Sequence, residues 1–237
     1  NKITINTAMS NGTLLTGSGN DYVSIVVNGS NHLMTLGSGR NIMYSSNGSS
    51  NSITSGNGSD VIITGGNSNS INAGSGRNYV SLTGGNNSTV ITGGGNDTIV
   101  LAENSSGNVV IFGGGSDLVQ NYHSNDTIRT VGSVTISTVG NDVILTSGSD
   151  KMTLKGAKGK TINFVTISDS NIDTTVGDTV APSIAGQPQE TLPPEETLPP
   201  DDSRLNYNAG KTAVTLSSDF TGTLNADRKS TRLNSSH

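Results

Sequence analysis

The sequence predicts an all-β chain, a parallel β-roll or β-solenoid of about six coils closed by a β-rich C-terminal cap. Three observations carry this. A glycine, one residue, a second glycine and a polar pair recur six times, beginning at Gly17, Gly37, Gly56, Gly74, Gly93 and Gly113. The spacings are 20, 19, 18, 19 and 20 residues, the regularity of stacked coils. Each turn leads into a short alternating run such as Tyr22-Val23-Ser24-Ile25 or Tyr79-Val80-Ser81-Leu82, the period of a half-buried strand. Aromatic residues make up only 3% of the 237 residues, so a wide globular core is out of reach, whereas a thin stack buries little volume per coil.

Taken in order, one coil reads as turn, strand, turn, strand. About ten residues after each glycine turn comes a second polar bend and a second short strand, as in Asn51-Ser52-Ile53, Asn69-Ser70-Ile71 and Ser88-Thr89-Val90-Ile91. Val, Ile and Leu are expected to point inward between two flat faces. This pattern covers residues 1–128. Over residues 129–177 the glycine turns fade while alternation strengthens, and that segment is expected to cap the open end. Lys151, Lys155, Lys158 and Lys160 suit a cap, because charge blunts an edge. A basic patch for anionic polymers is the other reading of these lysines.

All six prolines lie between Pro182 and Pro200, beside acidic residues, so residues 178–203 read as an extended acidic linker. Residues 204–226 are expected to begin a further β module. Residues 227–237 look like translated sequencing adapter and are set apart from the fold, which places the natural continuation beyond Ala226. The net charge is −5, and there is no cysteine, which excludes a disulfide framework and thiolate metal sites. No apolar run is long enough to span a membrane, and nothing points to nucleic acid. Three histidines cannot build a metal triad, and no nucleophile and base converge, so no enzymatic activity is expected. Sequons at Asn11, Asn28 and Asn47 arise readily by chance in so Asn- and Gly-rich a chain.

The glycine turns are the place for chemistry. Glycine permits positive φ, so successive carbonyls can point into the bend, and an aspartate adds a carboxylate there. Ca²⁺ takes six to eight oxygens, more than one turn offers, but two stacked turns can share an ion. Glycine and Asp or Asn also favour tight turns with no ion at all. The candidate ligands are Gly17, Gly19 and Asp21; Gly56, Gly58 and Asp60; Gly93, Gly95 and Asp97; and Gly113, Gly115 and Asp117.

The fifth turn, Thr92-Gly93-Gly94-Gly95-Asn96-Asp97-Thr98-Ile99-Val100, resembles the haemolysin-type, or RTX, calcium-binding nonapeptide G-G-x-G-x-D-x-U-x. The likeness covers roughly Leu14 to Ile128. It implies a parallel β-roll with Ca²⁺ held by turn carbonyls and aspartates, and bacterial secretion into calcium-rich surroundings where the roll folds. By position, the large aliphatic is Val23, Met43, Ile62, Val80, Ile99 or Val119, and the carboxylate is Asp21, Asp60, Asp97 or Asp117. The first glycine of the pattern is replaced in every coil, by Thr16, Leu36, Ser55, Ala73, Thr92 and Phe112. Two coils have Asn41 and Asn78 in place of the carboxylate, each after an arginine. On the opposite edge, His32, Asn51, Asn69, Ser88 and Gly107 fall near the equivalent position.

Only Asp97 and Asp117 occupy consecutive turns, so the best ion site is expected between the fifth and sixth. Arg40 and Arg77 are candidates to replace an ion's charge between acidic turns; the alternative is that both point into solvent. The function expected is an extracellular or cell-surface calcium-binding structural or adhesive repeat region, with calcium, and weak contacts to glycans or surface proteins, as partners. Two alternatives stay open: the repeat portion of an exported enzyme or pore-forming toxin, and an ion-independent surface- or glycan-binding solenoid.

Overall fold

The computed structural model describes residues 1–6, 9–26 and 28–167, and the short strands Leu205–Tyr207, Val214–Leu216 and Thr223–Asn225. The proline-rich linker and the suspected adapter lie outside the described residues. The described chain is all-β, with parallel coils stacked into a β-solenoid.

Two sheets face each other. The first stacks Lys2–Ile5, Tyr22–Ile25, Ile42–Ser45, Val61–Thr64, Tyr79–Leu82, Thr98–Val100 and Gly114–Gln120 in chain order, all parallel. The second stacks Thr13–Leu15, Leu33–Thr35, Ser52–Thr54, Ser70–Asn72, Thr89–Ile91, Val109–Ile111, Thr127–Val131 and Asn163–Ile167. Register is strict, with Val23, Met43, Ile62, Val80, Ile99 and Val119 directly above one another. Each is fully buried, facing Leu14, Met34, Ile53, Ile71, Val90 and Val110 from the second sheet in one core.

The fold also explains why the first glycine of the nonapeptide is missing. Thr16, Leu36, Ser55, Ala73, Thr92 and Phe112 are all buried. Each closes the core beside its turn, and a glycine there would leave a void.

The cap is a meander. Asp150–Leu154 runs parallel to Gly114–Gln120, then Asp142–Ser147 and Thr135–Val139 follow antiparallel. The expected role of the lysines is corrected in part. Lys151 sits in a strand paired on both sides, and Lys155, Lys158 and Lys160 lie beyond that strand. The outermost strand of this sheet, Thr135–Val139, is exposed throughout and carries no charge. Beyond residue 204, Leu205–Tyr207 pairs antiparallel with Val214–Leu216, and Thr223–Asn225 runs parallel to Thr13–Leu15.

Candidate functional site: the inner ladder of the glycine turns

At each glycine turn the chain must bend without a Cβ. A Cβ built on Gly37 would overlap the Gly17 carbonyl oxygen, one on Gly95 the Gly76 oxygen, and one on Gly115 the Gly95 oxygen. Turn carbonyls therefore point at the turn of the next coil, and the glycines are required by that approach. Gly94, between two such glycines, faces open space.

Two residues past each turn the side chain swings inward. Asp21, Asn41, Asp60, Asn78, Asp97 and Asp117 are all buried and form one ladder along the solenoid. The backbone N–H of each donates to Oδ1 of the next: Asp21 to Asn41 at 3.1 Å, Asn41 to Asp60 at 2.7 Å, and Asp60 to Asn78 at 3.0 Å. Asn78 donates to Asp97 at 2.6 Å and Asp97 to Asp117 at 3.0 Å. Asn1 joins at the start, its Nδ2 donating to Asp21 Oδ1 at 2.8 Å. The order is Asn, Asp, Asn, Asp, Asn, Asp and then a second Asp.

The other terminal atom distinguishes the two residue types. Asn41 Nδ2 donates back to the carbonyls of its own turn, Gly37 at 3.0 Å and Gly39 at 3.4 Å, and Asn78 Nδ2 to Gly74 at 3.3 Å. An aspartate has only acceptors to offer there. Oδ2 of Asp21, Asp60, Asp97 and Asp117 is in each case buried and without a hydrogen-bond partner. The hydroxyls of Ser55 and Thr92 lie beside Asp60 and Asp97 but do not reach hydrogen-bond geometry.

The electrostatics follow. Burial raises the Asp60 carboxyl above its usual range and pushes Asp97 up to about 6. Asp117 is pushed to about 7, first by burial and further by the charges of Asp97 and Asp150. Asp150 was not singled out as a site residue from sequence. It sits where a seventh turn would be, and its Oδ1 accepts from the Gly115 N–H at 2.9 Å. In earlier coils a backbone carbonyl fills that role, as Ser38 does for Gly19 and Asn57 for Gly39.

The structure thus separates the predicted carboxylates into two kinds. Asp21 and Asp60 each stand between asparagines, while Asp97 and Asp117 are consecutive. Among the described residues no three His, Cys, Asp or Glu side chains converge closely enough to hold a metal ion. Arg40 and Arg77 are exposed and make no ion pair among the described residues. Their coils are balanced instead by the Asn41 and Asn78 amides.

The opposite edge holds a second inner ladder. His32, Asn51 and Asn69 receive N–H donors from Gly12, His32 and Asn51, and Ser88, Asn108 and Asp126 continue it. In the fifth coil the position belongs to Asn108 rather than Gly107. His32 Nδ1 accepts from Gly12 N–H at 3.1 Å while Nε2 lies 3.1 Å from the Met9 carbonyl, which fits the neutral Nε2–H tautomer. Burial lowers its pKa accordingly. Asp126 ends the ladder fully satisfied, its Oδ2 accepting from the His123 N–H at 2.9 Å.

Comparison with protein-family models and with curated proteins returned no match. No helix among the described residues is long and apolar enough to cross a membrane.

Proposed function

We propose that the chain is an extracellular structural repeat domain, adhesive in role, whose solenoid is stabilised by Ca²⁺ between its fifth and sixth turns. The observation that carries this reading is the pair of buried, unpartnered Oδ2 atoms on consecutive ladder residues, Asp97 and Asp117. Where asparagine occupies the ladder, its amide nitrogen meets the turn carbonyls. Where aspartate does, an oxygen takes the nitrogen's place; beside the unpaired hydroxyls of Ser55 and Thr92 next to Asp60 and Asp97, a proton or a cation is what can satisfy it. Two adjacent carboxylates favour a divalent ion over two separate protons at neutral pH.

These residues fit a hard cation that prefers oxygen. Asp97 and Asp117 would supply the charge, and carbonyls of Gly93, Gly95, Gly113 and Gly115 the neutral donors. Because no three His, Cys, Asp or Glu side chains among the described residues group closely enough to hold an ion, backbone and solvent oxygens would complete the shell. Asp21 with Gly17 and Gly19, and Asp60 with Gly56 and Gly58, offer one carboxylate each and are the weaker candidates. Extracellular sites of this kind work at about 10⁻⁴ to 10⁻³ M, so the ion would bind after export.

The test is thermal unfolding of the full chain in millimolar calcium and in EGTA, for wild type and Asp117→Asn. Calcium is expected to raise the wild-type midpoint and leave the variant unmoved. Superimposable wild-type melts would leave an ion-free solenoid as the reading.

A further inference from the structure

The two flat faces of the solenoid are built from different side chains. Alternation in the first sheet turns Tyr22, Ile42, Val61 and Tyr79 outward in one in-register column, with Tyr44 and Ile63 in the next. Tyr22 is 40% exposed, Tyr44 40% and Tyr79 39%. Three of the chain's five tyrosines therefore share one platform. From Tyr22 to Val100 the strands of this sheet carry no charged side chain, and Ser81 adds a hydroxyl, whereas Ser24 is buried. Lys2, on the strand before Tyr22, holds its ammonium 5.9 Å from the Tyr22 ring centroid. Over the same coils the strands of the second sheet contain no aromatic residue.

We propose that this face binds a neutral polysaccharide chain lying along the stack of coils. The proposal names the partner for the adhesive role above and needs no bound ion. Tyrosine offers a rigid apolar ring with a polar tip at small entropic cost, and the C–H face of a pyranose packs on such a ring while its hydroxyls bond the phenol. Tyr22 and Tyr79 are three strand steps apart, about 14 Å, the length of about three linked sugar rings.

Size and charge select this occupant. Four strands and two outward columns span roughly 250 Å² at sheet spacings, far below the about 800 Å² per partner of a stable protein interface. A second copy of the chain docked on this patch alone would not hold. Between Tyr22 and Tyr79 the strands carry no charge for an anionic polymer to pair with, and the Lys2 ammonium at the edge already lies over the Tyr22 ring.

The experiment is co-sedimentation of the full chain with insoluble cellulose, chitin, β-1,3-glucan and starch, and with calcium-gelled alginate as the anionic contrast. The neutral polymers are run in calcium and in EGTA. Retention is expected on at least one neutral polymer and not on alginate. It should fall at least tenfold in Tyr22→Ala/Tyr79→Ala, and stay unchanged in Thr54→Ala on the other sheet. Circular dichroism checks that each variant keeps the wild-type spectrum; if the double variant does not, Tyr44→Ser is read in its place. Retention on no neutral polymer, or retention indifferent to the tyrosines, overturns the proposal. So does a wild-type dimer in sedimentation velocity that the double variant dissolves, since a second copy would then own the face. A melt insensitive to EGTA would remove the calcium reading yet leave this result standing.

Discussion

The first four glycine turns and the last two share a backbone but differ in the ladder they enclose. Through Asn78, asparagine and aspartate alternate, so buried carboxylates stand two coils apart, about 9.6 Å at strand spacing. At the C-terminal end Asp97 and Asp117 stand one coil apart, with Asp150 adding its charge. At an effective dielectric of about 20, like charges repel by about 3.5 kcal/mol at one coil and about half that at two. Alternation therefore keeps buried carboxylates apart, and the doubled aspartate sets two of them side by side. The same fold holds a structural version and a chemically demanding version of one turn.

The largest effect tests the backbone that both regions share. Gly95→Ala is expected to destabilise by at least about 2 kcal/mol, because its φ is +138° and the new methyl overlaps the Gly76 carbonyl oxygen. Gly94→Ala, one residue away and facing open space, is expected to be nearly silent. Denaturant unfolding of the pair decides it. Equal effects would mean that the close approach of carbonyls is not what holds the turns.

Next is the doubled aspartate itself. Asp117→Asn restores alternation and gives the ladder a donor, so with EGTA the variant is expected to melt above wild type. Calcium at about 100 times its Kd stabilises a protein by about 2.7 kcal/mol, and that increment should vanish in the variant. The converse is Asn41→Asp, which sets three carboxylates in a row from Asp21 to Asp60. It should lower stability in EGTA and create a calcium response among the early coils. If Asn41→Asp responds to calcium no more than wild type does, adjacency is not the determinant.

The pH dependence sharpens the same contrast. Asp97 and Asp117 have carboxyls pushed up to about 6 and about 7, mainly by burial, from 3.8 in the unfolded chain. With calcium removed, the folded state keeps protons that the unfolded state has lost. This contribution is complete below pH 3.8 and disappears as pH rises through 6 and 7. Melting midpoints in EGTA should therefore fall between pH 5 and 8, less so in Asp117→Asn. With calcium present they should rise over that window, since the ion requires the ionised carboxylates.

How much of this the sequence discloses depends on which physical signal each residue carries. The coils are legible because the glycine period and the inward aliphatics, Val23 through Val119, repeat in step. The pairing of Asp97 with Asp117 is legible from the same register. The partners of Asn41 and Asn78 are not, because spacing says where a side chain stands and not which atom of an amide faces a carbonyl. Parity was the available clue: Asn41 lies two residues before buried Met43 and so points inward, while Arg40 points out. Asp150 has no such clue, since it reaches Gly115 from a hairpin 35 residues on, outside the repeat.

The smallest effect falls on those arginines. Arg77 neighbours a ladder that links Asp60 to Asp97 through Asn78, so charge counting alone assigns it a balancing role. Its side chain is exposed and has no ion pair among the described residues, while the adjacent Asn78 amide reaches Gly74 at 3.3 Å. An exposed charge acting through solvent is worth a few tenths of a kcal/mol at most. Arg77→Ala is therefore expected to shift stability by less than about 0.5 kcal/mol, in calcium and in EGTA alike. Asn78→Ala, which deletes both the acceptor for Asp60 and the donor to Gly74, should cost about 1 to 3 kcal/mol. Were the arginine variant the more damaging of the two, the alternating coils would be balanced by guanidinium charge after all, and the distinction between quiet and demanding turns would have to be redrawn around it.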